Sequence, residues 1–228
     1  MRFVTNRTCF RRSWPGWIAL VLICVCRSPL LAAGNEPGTV VVLGDSLAAG
    51  YGLDPTESYP AILQKRIKEA GWNFNVVNAG VSGDTSAGGL RRVEWLLKRR
   101  IDVLVLALGG NDGLRGIPVE SMKANLQRII DRVKKSYPQA QIVVAGMKMP
   151  PSMGPYAAQF NAVFPAVAKV NHAALVPFLL EGVGGKLELN QQDQIHPTAE
   201  GQKILAANVW KVLRPLLEIQ NAKNANAH

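Results

Sequence analysis

The chain has 228 residues, 48% of them hydrophobic and 18% charged, which suits one sizeable core and gives no sign of a second. Its formal charge of +10 overstates the basicity of the folded part, because the first 33 residues hold five arginines and no acid; the remainder carries 21 basic against 16 acidic residues, a net of +5. So modest a positive balance does not point to nucleic acid as a partner; Arg91-Arg92 and Lys98-Arg99-Arg100 read as solvated helix faces, with attraction to anionic lipid head groups as the functional alternative.

The first segment is a leader. A basic, acid-free stretch carrying Arg2, Arg7, Arg11 and Arg12 runs into the apolar residues Ile18 to Cys26 and then into Pro29-Leu30-Leu31-Ala32-Ala33. That is the order of a secretory signal peptide, so residues 1–33 are expected to be removed and the protein to be periplasmic or secreted. Arg27 interrupts the apolar run short of the ~20 residues a membrane span needs, which makes a retained anchor the weaker reading. All three cysteines, Cys9, Cys24 and Cys26, fall in the leader, and the mature chain must be stable without a disulfide. One domain is expected over residues 34–217, followed by a flexible polar tail over 218–228.

After the leader, short β-branched runs alternate with amphipathic stretches of helical length, the signature of βα units around a parallel sheet. Strands are predicted at Thr39 to Leu43, Asn73 to Asn78, Val103 to Leu108, Gln141 to Ala145 and Ala174 to Val176. Their continuous apolar character implies a sheet covered on both faces. Helices are predicted at Pro60 to Ala70, Gly88 to Arg99, Val119 to Ser136, Tyr156 to Asn171 and Thr198 to Leu213. The segments Gly113 to Pro118 and Met147 to Pro155 read as loops at strand carboxyl ends, where open parallel sheets place their ligand crevice.

Four short blocks fall on such loops: Gly44-Asp45-Ser46-Leu47, Ser82-Gly83-Asp84-Thr85, Gly109-Gly110-Asn111-Asp112 and Asp193-Gln194-Ile195-His196. Ser46 directly follows the first strand; taken alone it is a nucleophile, a helix N-cap or part of a phosphate-cradling turn. Of three histidines, His228 is in the tail and His172 beside a predicted helix end, leaving His196 with Asp193 three residues before it. A carboxylate at that spacing in a turn can hold one ring nitrogen while the other faces a hydroxyl. Gly83 lets backbone approach a developing oxyanion and Asn111 adds a side-chain donor, alongside the N–H of Ser46 itself. Asp45, Asp84 and Asp112 read mainly as loop hydrogen-bond acceptors; with no histidine beside them, metal is not expected, nor any cofactor.

These four blocks, in this order, resemble the GDSL, or SGNH, hydrolase family. The resemblance implies a flavodoxin-like three-layer α/β/α sandwich with a five-stranded parallel sheet. It implies Ser46 as nucleophile, His196 as base, Asp193 as its partner, and Ser46, Gly83 and Asn111 as oxyanion donors. The runs Gly44 to Tyr51, Val81 to Ser86, Gly109 to Gly116 and Ile195-His196-Pro197 resemble a narrower group of exported bacterial esterases acting as acyl-CoA thioesterase, lysophospholipase and arylesterase. No Gly-x-Ser-x-Gly surrounds Ser46, so the strained elbow of α/β-hydrolases is not expected.

The expected activity is hydrolysis of fatty-acyl and aryl esters, thioesters and lysophospholipids by a monomer that touches membrane surfaces only transiently. Acyl selectivity is expected to be set by Met147 to Pro155 and Val183 to Leu189. The alternatives are a carbohydrate O-acetyl esterase of the same family and, from another class, a flavodoxin-like phosphate- or nucleotide-binding module.

Overall fold

The computed structural model describes Met1 and residues 36–225. The expected signal peptide lies outside the described residues, apart from Met1. Five strands, β1 (Gly38–Gly44), β2 (Phe74–Gly80), β3 (Val103–Ala107), β4 (Gln141–Ala145) and β5 (Ala174–Val176), form one sheet in the order β2-β1-β3-β4-β5, every pairing parallel. Among the described residues seven α-helices accompany them: α1 (Ser46–Ala49), α2 (Tyr59–Glu69), α3 (Ser86–Leu96), α4 (Gly110–Leu114), α5 (Val119–Ser136), α6 (Pro155–Val170) and α7 (Ala199–Ala225).

Parallel strands need crossovers, and each must be right-handed. The order therefore sends the chain one way from β1 and the other way from β3. Helices α2 and α7 pack together, while α3, α5 and α6 form a second packed set, giving three layers. Val40–Leu43 of β1 and Val103–Val105 of β3 are fully buried between them, as a doubly covered sheet requires. Edge strand β2 departs from that expectation, its middle residues being half-buried or exposed. β1 and β3 are adjacent strands whose crossovers diverge, and the cleft between their carboxyl ends is where such sheets hold ligands.

Three expectations change. The segment after β3 is not all loop, since Gly110–Leu114 winds into the short helix α4. Arg92 does not lie on a solvated face: its guanidinium ion-pairs with Asp84 at 2.7 Å and donates to the Gly44 carbonyl at 2.8 Å. Helix α7 passes the predicted domain limit, with Leu217 fully buried and the Gln220 amide donating to the Asp102 carbonyl at 3.3 Å. The chain from 218 to 225 is thus helix rather than tail.

Candidate active site

The nucleophile candidate sits where β1 stops. Asp45 caps α1, its Oδ1 accepting from the Leu47 N–H at 3.0 Å, which sets Ser46 at the first helical position. Gly50 ends the helix after one turn in a left-handed conformation, φ 72°, and a side chain there would meet Ser58. Ser46 has no positive φ; among the described non-glycine residues only His172 and Gln194 do. This is a capped helix start, not a strained elbow.

The turn is buttressed from below. Gln202, buried in α7, accepts from the Tyr59 N–H at 2.9 Å and donates to the Leu47 carbonyl at 3.1 Å, joining α2, α7 and α1. Asp45 is buried beside Ser46, and desolvation pushes its carboxyl up to about 6 against the bond from Leu47.

His196 arrives on the turn before α7. An antiparallel bridge between Asn190 and Pro197 closes that turn, the Gln191 N–H donates to the His196 carbonyl at 2.7 Å, and Gln194 turns the chain at φ 58°. His196 Nε2 stands 2.9 Å from Ser46 Oγ, and Nδ1 stands 2.6 Å from Asp193 Oδ2. The other oxygen of Asp193 accepts the N–H groups of Ile195 and His196, each at 3.0 Å. The hydrogen bond from the ring, then those backbone bonds, draw Asp193 down to about 2. A carboxylate is an acceptor only, so the ring proton sits on Nδ1 and the Nε2 lone pair is left for the serine hydroxyl. Tyr51 packs beside the imidazole with ring centroids 4.4 Å apart.

Asn111, in the first turn of α4, lines the same cavity as Ser46 and His196. One hydrogen of its amide goes to the Asp84 carbonyl at 2.9 Å, and the second stays available. Asp112 is fully buried and holds the neighbouring loop, accepting from the N–H and hydroxyl of Ser86 at 2.8 and 2.6 Å. Gly83 lies on that loop at φ 77°, but it is not among the residues lining the cavity; its carbonyl accepts from Arg115 at 3.0 Å. Hydrogen bonds therefore join Ser46, His196 and Asp193 in series, Asn111 shares the cavity of Ser46 and His196, and Gly83 lies one residue from the Asp84 carbonyl that holds Asn111. The local sequence around the four blocks did not single out Arg92 or Gln202 as supports, because each acts across a long stretch of chain.

From Ser46 a cavity of about 730 Å³ extends between Leu114, Met149, Pro151, Phe178, Leu180 and Gly184, in the usual size range for small-molecule sites. It is walled by the two segments expected to set selectivity. Among the described residues no group of three or more His, Cys, Asp or Glu side chains gathers as a metal site.

Residues 42–204 match the GDSL-like Lipase/Acylhydrolase family. The chain belongs to that family. As a GDSL-like hydrolase it is an ester-hydrolysing enzyme. It is 44% identical to Esterase TesA of Pseudomonas aeruginosa over 87% of this chain and 99% of that protein. It is 38% identical to Thioesterase 1/protease 1/lysophospholipase L1 of Escherichia coli K12, over 78% of this chain and 85% of that protein. A crystal structure of TesA superposes with a TM-score of 0.75, at 44% identity over 78% of this chain and 99% of the other.

Proposed function

We propose that this GDSL-like hydrolase is an exported serine esterase that cleaves fatty-acyl and aryl esters, thioesters and lysophospholipids through an acyl-enzyme. The observation that carries the reading is the Nε2 contact of 2.9 Å to Ser46 Oγ, with Nδ1 held at 2.6 Å by Asp193. Ser46 attacks the acyl carbonyl carbon while His196 takes its proton; the carbonyl oxygen, now an oxyanion, receives the N–H groups of Ser46 and Gly83 and the free hydrogen of Asn111. Collapse expels the alcohol or thiol, which takes the proton back from His196. Water, deprotonated by His196, then attacks the acyl-enzyme, and the acid leaves with Ser46 restored.

The apolar cavity favours chains longer than acetyl, which sets this reading above a deacetylase. The names of the Pseudomonas and Escherichia relatives support the substrate class. The leader supports export, and among the described residues no helix is long and apolar enough to cross a membrane. An exported enzyme meets lysophospholipids and other envelope esters rather than cytosolic acyl-CoA, as a monomer in transient contact with lipid surfaces. The test is hydrolysis of p-nitrophenyl esters from acetyl to palmitoyl, with Ser46→Ala alongside. The expected result is activity toward medium and long chains that falls by about four to six orders of magnitude in Ser46→Ala. Activity confined to acetyl would favour the deacetylase, and hydrolysis surviving in Ser46→Ala would remove the nucleophile.

A further inference from the structure

The wall of the cavity contains one feature that ester hydrolysis does not use. Lys148 lies in the segment after β4, and among the described residues it is, apart from His196, the only basic one lining a cavity otherwise dominated by apolar side chains. Its neighbours Met147 and Met149 are 9% and 6% exposed, so the backbone on both sides is fastened to the core. Asn161 of α6 grips the same backbone, accepting from the Met149 N–H at 2.8 Å and donating to the Met149 carbonyl at 3.4 Å. The base of the lysine stem is therefore fastened to the core.

At the end of that stem, Nζ stands 5.1 Å from the centroid of the Phe178 ring. An aromatic face attracts an ammonium without occupying its hydrogen-bond donors as a carboxylate would. None of the ion pairs among the described residues includes Lys148. The one carboxylate in the cavity wall, Asp45, is buried beside Ser46 with its Oδ1 engaged by Leu47. An exposed cation resting on a ring face with its donors free, at the wall of an apolar chamber that begins at the proposed nucleophile, is complementary to an amphiphile carrying a negative charge.

We propose that Lys148 is a specificity-determining residue that recognises an anionic group, phosphate or carboxylate, placed away from the reacting carbonyl of an acyl ester. This rests on Ser46 being the nucleophile. The chemistry is the same whether the charge sits on the acyl chain or on the leaving alcohol, and two substrate pairs separate these sources. The mono-p-nitrophenyl ester of suberic acid against p-nitrophenyl octanoate places a carboxylate at the far end of the acyl chain. Lysophosphatidic acid against a monoacylglycerol of the same chain places a phosphate on the alcohol.

For each pair the readout is the ratio of kcat/KM, anionic over neutral, in wild type, Lys148→Met and Lys148→Arg. In the pair whose charge reaches Lys148, Lys148→Met lowers the ratio by about ten-fold, the order expected of one charge-assisted hydrogen bond, and the change falls on KM rather than kcat. Lys148→Arg keeps the ratio. High salt brings the wild-type ratio toward that of Lys148→Met without any substitution. A ratio equal in wild type and Lys148→Met for both pairs overturns the assignment of Lys148. Ser46→Ala, measured on the same substrates, keeps the two readings apart: surviving hydrolysis breaks the nucleophile assignment, whereas complete loss beside an unchanged ratio breaks the lysine assignment alone.

Discussion

The two halves of the Ser46–His196 pair are held by different means. Ser46 rides on a buried turn whose supports are core groups: Asp45 caps it, Gln202 ties Leu47 to Tyr59, and Arg92 holds the Gly44 carbonyl. His196 and Asp193 ride on a turn at the surface, Asp193 with 38% of its side chain exposed, and that turn is shaped mostly by bonds within residues 190–198. Fixing the proposed nucleophile is thus inseparable from folding, whereas fixing the proposed base is a local matter. Changes under the serine should cost stability and activity together; changes in the histidine turn should cost activity alone.

The largest effect short of removing the serine is expected from Asp193→Asn. It keeps the shape of the turn but replaces an acceptor by a group that can leave the wrong tautomer facing Ser46, and kcat should fall by about three to four orders of magnitude. A melting temperature close to wild type in the same preparation checks the local character of that turn. Asn111→Ala comes next, removing one of the proposed oxyanion donors at an expected cost of two to three orders in kcat, about 2.7–4 kcal/mol. Steady-state kinetics with KM little changed would place the loss in the transition state.

Gln202→Leu addresses the other region. It strips a buried N–H and a buried carbonyl of their partner, an expected loss of about 2–3 kcal/mol, read as a melting point lower by roughly 5–10 °C. Because Leu47 adjoins Ser46, kcat should fall in the same variant, and a destabilised protein with intact kcat would uncouple the core from the nucleophile.

The smallest effect separates the two regions by pH. Asp45, raised to about 6 by burial, is protonated in the folded chain at pH values where the unfolded chain has already ionised at its ordinary 3.8. The folded state is therefore favoured below that ordinary value and loses stability as pH rises through about 6. Asp45→Asn should gain on wild type by a few degrees in melting temperature between pH 4 and pH 7. Asp193 runs the other way: drawn down to about 2, it keeps its bonds above the ordinary carboxylate range and loses them only as pH falls through about 2.

How much of this was readable in the sequence follows from the range of each interaction. Helix α5, Val119–Ser136, and strands β4 and β5 have the predicted bounds because periodic apolar residues and local breakers determine them. The Asp193–His196 contact was legible from a spacing of three in a turn. Helix α4 was not, since Gly110 and Gly113 carry low helix propensity and the loop beside it is fixed instead by buried Asp112 bonding to Ser86. The end of α7 was misjudged because polar residues after Leu217 resemble a tail until Gln220 finds a carbonyl 118 positions away. Arg92 looked like one of a surface pair for the same reason, its carbonyl partner lying 48 positions back.

That last helix has a practical consequence. With 27 residues, α7 is about 40 Å long; it starts three residues after His196, at the strand carboxyl ends, and by Gln220 it has reached Asp102 at the strand amino ends. Its final described turn therefore emerges on the face away from the Ser46 cavity. A resin, a sensor surface or a fused carrier attached through the carboxyl terminus will leave the mouth of the cavity open to bulk substrate, whereas attachment through Lys148 will not.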